Sequence, residues 1–70
     1  MSVTPDQIQR ARDRDRHFHP LCAYRAAVVI DIETREHRTL GKEEIMQRFS
    51  VNRNVATQTQ RGVRRLEAAA

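Results

Sequence analysis

LGKEEIMQRFSVNRNVATQTQRGVRRL, residues 40–66, is the stretch whose reading decides the fold class. Gly41 suits an N-cap, and Glu43 and Glu44 fall in the first turn that follows, where the positive end of a helix dipole favours acids. Ile45, Met46 and Phe49 share one face, so Lys42 to Phe49 is predicted to be a short amphipathic helix. Ser50-Val51-Asn52 is the turn. From about Arg53 toward Ala68, Val55, Thr59, Val63 and Leu66 recur at helical spacing, with Ala56 and Gly62 beside them. The rest of that helix is polar, carries Arg53, Arg61, Arg64 and Arg65, and holds no acid before Glu67. The stretch reads as two helices joined by a tight turn, with Phe49 and Leu66 expected in the core.

Toward the N-terminus, residues 20–37 admit two readings. As a helix, Pro20 sits near the first position and Leu21, Tyr24, Val28 and Ile32 recur along one stripe. As strands, Val28, Ile30 and Ile32 alternate with Val29, Asp31 and Glu33 in a β-branched run, and His37 to Leu40 return as the second arm of a hairpin. No glycine or asparagine marks the turn of that hairpin, which favours the helix. The apolar run exceeds what one small module needs for itself, so Leu21, Tyr24, Val28 and Ile32 are the candidate dimer interface. Residues 4–17 suggest a first helix with Thr4 as N-cap, Pro5 at the first position, Asp6 in the first turn and Gln7 completing a capping box. Its body is almost wholly polar. Ile8, Ala11 and Phe18, interrupted by Asp15, give only a broken apolar stripe, the pattern of a helix that docks weakly or projects. Ala68-Ala69-Ala70 is a fraying helix end or an appended tail. The expected fold class is all-α: a single domain over 1–70 with three to four helices. It comprises a polar N-terminal helix or arm over 4–18, an apolar core or dimer segment over 20–37 and the paired helices over 40–68. The alternative places a β-hairpin over 26–40 before the same pair.

Seventy residues make one domain at most, with a core that supplies only about 3–5 kcal/mol unaided. Cys22 is the single cysteine, which excludes an intrachain disulfide. No apolar run is long enough to span a bilayer, and residues 5–17 are charged where a signal peptide would be apolar. The expectation is a cytoplasmic protein without membrane association. The formal charge is +4, and Lys42 is the only lysine among thirteen basic residues. Arginine grips phosphate and base edges with a planar fork. A GC-rich coding sequence would also favour arginine, so arginine content by itself does not decide the partner.

The pairing of Met46, Ser50, Val51, Val55 and Val63 follows the pattern of a helix-turn-helix: a packing residue in the first helix, a turn residue, an apolar residue after it, and anchors in the second helix. EEIMQRFSVNRNVATQTQRGVRRL resembles the C-terminal promoter-reading region of bacterial sigma factors and the small regulators related to it. The elements that match are Glu43-Glu44-Ile45, Phe49-x-Val51-x-Arg53, Val55 and Val63-Arg64-Arg65-Leu66. The resemblance covers the last 30 residues or so. Met46 stands where the family prefers a small residue, Ser50 where it prefers glycine or an acid, and Val51 to Val55 is one residue shorter than usual. The resemblance implies a transcriptional regulator whose second helix over 53–66 lies in the major groove of double-stranded DNA; palindromic sites and the small size of one module favour a homodimer. Asn54, Thr57, Gln58 and Arg61 would then meet base edges, and Lys42, Arg48, Arg53, Arg64 and Arg65 the phosphates. The rival expectation is a small protein-interaction inhibitor of phage or plasmid type, using the same scaffold to bind RNA polymerase or a regulator.

The remaining constellations carry less. His17, His19 and Cys22, with His37 farther along, are residue types that bind zinc, but His-x-His-x-x-Cys matches no common structural module, and no metal or other cofactor is expected. Arg10, Arg12, Arg14 and Arg16 alternate with Ala11, Asp13 and Asp15, a pattern for i,i+3 and i,i+4 pairs on an exposed helix more than for RNA binding. Cys22 beside His17 or His19 has no orienting group and no oxyanion site in view, so no catalytic residue is assigned and the chain is not expected to be an enzyme.

Overall fold

The computed structural model describes residues 3–70, and all regular structure among them is helical. The elements are α1 (Pro5–Arg14), α2 (Pro20–Glu36), α3 (Lys42–Phe49) and α4 (Arg53–Ala68). The helical reading of residues 20–37 holds, and the hairpin over 26–40 does not form. Instead α2 runs to Glu36 and His37 closes it in the left-handed conformation, at φ 54°. The amides of His37 and Arg38 both donate to the Glu33 carbonyl. Glu33 also turns its carboxylate onto the Leu40 amide at 2.8 Å, so the loop between α2 and α3 is tied to the helix it leaves.

α4 is the hub. It packs against each of the other three helices, most extensively against α2. The core has two lobes. Ala11, Phe18, Cys22, Ala23, Ala26, Leu66 and Ala69 form one, and Val29, Ile32, Leu40, Ile45 and Ala56 form the other. Val63, half-buried, packs on both. The α4 surface that meets α2 is built from small residues. Ala56, Thr59, Gly62 and Leu66 are buried, whereas Val55 and Val63, the bulkier residues of the expected stripe, lie at its edges. Thr59 is fully buried and satisfies its hydroxyl by donating to the Val55 carbonyl at 2.8 Å.

Several expectations are corrected. Phe49 is only half-buried, and Ile45 is the fully buried anchor of α3. α1 stops at Arg14, because Asp15 leaves the helical region and the chain turns so that Phe18 enters the core from a loop. Thr4 caps α1 by accepting from the Gln7 amide at 3.1 Å, as its sequence suggests. The Gln7 side chain does not return to the cap. It is buried and donates to the Leu66 carbonyl at 2.8 Å. Arg10 donates to the Ala69 carbonyl at 3.1 Å and Arg14 to the Ala68 carbonyl at 3.2 Å. The last carbonyls of a helix have no partner within it and carry negative partial charge. α1 is polar because one of its faces caps the C-terminus of α4. It is docked on α4 and does not project. Of the alanine tail, Ala69 is buried in the same lobe as Ala11, and Ala68 and Ala70 are exposed.

Candidate nucleic-acid interface

Ser50, Val51 and Asn52 join α3 to α4. Ser50 adopts the left-handed conformation at φ 54°, ψ 48°. The amides of Ser50 and Val51 both donate to the Met46 carbonyl, which closes α3 tightly. Glycine is the residue best suited to that backbone, so serine here carries a strain of about 1 kcal/mol. Asn52 then opens α4 by accepting from the Val55 amide at 2.9 Å. The turn is therefore capped on both sides, and the start of α4 is fixed relative to α3.

Helical register turns one side of α4 away from the core. Asn54, Gln58, Arg61 and Arg64 are exposed and Thr57 is half-buried. The Thr57 hydroxyl donates back to the Arg53 carbonyl at 3.0 Å, leaving its methyl and an oxygen lone pair for an outside partner. Among the described residues, the side chains of Arg53, Asn54, Gln58, Arg61 and Arg64 make no hydrogen bond or ion pair. The four residues assigned to base contact thus lie on one side of one helix, and the strip holds no carboxylate before Glu67 at its far end.

The five residues assigned to phosphates divide. Lys42, Arg48 and Arg53 line a shallow hollow where the start of α3 meets the start of α4, together with Glu43, Glu44 and Gln47. Arg64 is exposed and unengaged. Arg48 is held by Glu44 at 2.9 Å and Glu36 at 3.4 Å. Arg38 joins the same network through a two-pronged contact with Glu44 and a bond to Glu36. The hydrogen bond from Arg38, seconded by Arg48, holds the Glu44 carboxyl down at about 2. The network pins the end of α2 to α3 and leaves Arg48 less free than Arg53 or Arg64. Arg65 is likewise engaged. It pairs with Asp15 at 3.1 Å and lies over the Phe18 ring, 5.3 Å from its centroid.

Of the four residues assigned to a dimer surface, Leu21 and Tyr24 are 58% and 65% exposed, and Val28 is half-buried. Ile32 is buried against Val29, Leu40 and Ile45 in its own chain and is not available to a partner. The stripe turns inward at its C-terminal end, where Ile32 joins the core lobe that also holds Leu40, Ile45 and Ala56.

His17, His19 and Cys22, grouped in sequence as a possible metal cluster, lie with Gln58, Arg61 and Arg65 around a cleft of 220 Å³. Among the described residues no three His, Cys, Asp or Glu side chains converge as a metal site. Burial pushes the Cys22 thiol up against the pull of Arg65 and Arg25, and its S–H donates to the Gln58 carbonyl at 3.3 Å. That is a packed, protonated thiol and a poor nucleophile. The approach of this loop to α4 had no signal in the sequence, since Asp15 and Arg65 are fifty positions apart. No helix among the described residues is long and apolar enough to cross a membrane. No protein-family model, curated protein or solved structure matches the chain.

Proposed function

We propose that the chain is a sequence-reading DNA-binding regulator that presents α4 to the major groove of double-stranded DNA, with α3 and the capped turn setting its angle. The observation that carries this reading is the outer strip of α4, where Asn54, Gln58, Arg61 and Arg64 stand exposed and unpartnered beside Thr57. Intrachain ion pairs would be the ordinary use of such arginines, and here they occur elsewhere. A sixteen-residue helix is about 24 Å long and fits the groove lengthwise. Asn54 and Gln58 have the donor–acceptor pair that reads adenine, and Arg61 the fork that reads guanine. Lys42, Arg53 and Arg64, with the free edges of Arg48 and Arg65, supply phosphate contacts. The exposed Leu21 and Tyr24, with Val28, are the surface for a second copy, since regulators of this size read paired half-sites as dimers.

A salt titration with a mixed-sequence duplex, followed by fluorescence anisotropy, tests the reading. Micromolar binding should weaken steeply with salt, with a log–log slope of about −4.5 for five phosphate contacts. Absence of binding at low salt sinks it. The same exposed Leu21 and Tyr24 favour the second reading, a small inhibitor that docks on RNA polymerase or a regulator. Under that reading the stripe binds a different protein, the unmixed chain sediments as a monomer, and duplex DNA is ignored.

A further inference from the structure

The loop between α1 and α2 brings a second set of donors to the edge of the α4 strip. Asp15 organises it: one carboxylate oxygen accepts from the His17 amide at 3.0 Å, and the other pairs with Arg65 at 3.1 Å. His19 caps α2, its Nδ1 accepting from the Leu21 amide at 3.1 Å. That bond places the proton of a neutral ring on Nε2, which becomes a donor with no partner among the described residues. The His17 ring, the Gln58 amide and the Arg61 guanidinium are also unpartnered. All line the 220 Å³ cleft with Arg65 and Cys22, and no carboxylate lines it. The nearest acid, Asp15, is already paired. The cleft therefore offers several converging N–H donors and a positive potential, with one thiol that points its hydrogen at a carbonyl.

Such a set is complementary to a tetrahedral oxyanion with several acceptor oxygens, and the space exceeds that of a bare ion. Gln58, Arg61 and Arg65 sit on one flank of the outward side of α4, and Arg53 and Arg64 on the other, so the cleft borders the strip where a groove wall would run. We propose that this cleft seats a phosphodiester of the DNA backbone at the edge of the groove occupied by α4, which makes the α1–α2 loop a second anchor outside the paired helices. The inference rests on the DNA-binding reading above.

The test uses the full chain, amide-resolved NMR, and two probes: a mixed-sequence 16-bp duplex and inorganic phosphate. The companion variant is His17→Ala/His19→Asn, in which Asn keeps an N-cap acceptor and removes the ring donor. The duplex should shift the Leu21, Cys22 and Gln58 amides together with those of the α4 strip. The variant, folded by circular dichroism, should bind every duplex roughly tenfold more weakly, because a phosphate contact carries no sequence preference. If the duplex shifts Asn54, Thr57 and Arg61 while Leu21 and Cys22 stay still, the cleft assignment is overturned and the α4 reading survives. If phosphate shifts the cleft amides but the duplex does not bind, the site takes a free anion, and both the phosphodiester assignment and the DNA reading fail. If neither probe moves any amide, both fail as well. Should the variant not fold, the shift map of the unmutated chain still decides.

Discussion

Gly62→Ala tests the packing on which the whole interface depends, because two effects of opposite sign compete there. In an exposed helix interior, alanine is favoured over glycine by about 1 kcal/mol. In α4 the new Cβ would meet the Ala26 Cβ at 3.1 Å, the Phe18 Cε1 at 3.1 Å and the Cys22 Sγ at 3.3 Å. Each contact is a few tenths of an ångström too short, and none of the three neighbours yields easily. The Ala26 Cβ is fixed to the α2 backbone, and Ala26 is fully buried. The Phe18 ring is held in the core under Arg65, and the Cys22 thiol is bonded to the Gln58 carbonyl. Overpacking of this kind costs about 1–3 kcal/mol, and three rigid neighbours put this case at the upper end. The net effect is a loss of about 1–2 kcal/mol. For a domain of this size, a loss of 1 kcal/mol lowers Tm by about 4–8 °C. Urea and thermal unfolding by circular dichroism measure it. A Gly62→Ala chain that is more stable than its parent by the helix-propensity increment would refute the close approach of α2 and α4, and with it the placement of the α1–α2 loop beside Arg61.

Ile45→Ala should cost about 2–5 kcal/mol and leave too little stability for a cooperative transition, whereas Phe49→Ala, at a half-buried site, should cost less; the reverse order in denaturant titrations would reinstate Phe49 as the anchor of α3. Ser50→Gly should raise stability by about 0.5–1 kcal/mol by relieving the left-handed backbone; a lower melting temperature would count against the geometry of the turn. Arg61→Ala should lose about 1–3 kcal/mol on a selected duplex and relax preference at one base pair, while Arg64→Ala weakens all sequences alike and shallows the salt slope by about one unit; parental binding by both variants rules out α4 as the reading helix. The Glu44 carboxyl, held at about 2 against an ordinary 4.5, favours the folded state above pH 4.5, and that contribution fades as pH falls toward 2. Glu44→Gln should therefore flatten the acid limb of the stability profile over that window, and an unchanged limb would show that the bonds from Arg38 and Arg48 do not persist in solution.

The sequence by itself determined the local structure. Thr4-Pro5 opens α1, Pro20 stands at the start of α2, and Ser50 to Asn52 separates α3 from α4, because caps, proline and helical periodicity act over a few residues and need no distant partner. The exposed strip of α4 was legible for the same reason, since the stripe Val55, Thr59, Val63 and Leu66 has the same mean direction as the residues that are buried, Ala56, Thr59, Gly62 and Leu66. What a polar side chain is used for was not legible. The residues of α1 look solvated in one dimension, yet Gln7, Arg10 and Arg14 serve the C-terminus of α4, some sixty positions away. The stripe Leu21, Tyr24, Val28 and Ile32 is continuous in sequence, but only the tertiary structure buries its last member, because Leu40, Ile45 and Ala56, from three other segments, gather into one lobe with it. His17 and His19 are metal-binding residue types at a spacing that matches no common module, and the fold places them beside Arg61 and Arg65, where positive charge opposes a cation and suits an anion. Periodicity reports which way a residue faces along its own helix. Only the packing of helices, set here by the small residues Ala26 and Gly62 that let α2 and α4 approach, reports what it faces.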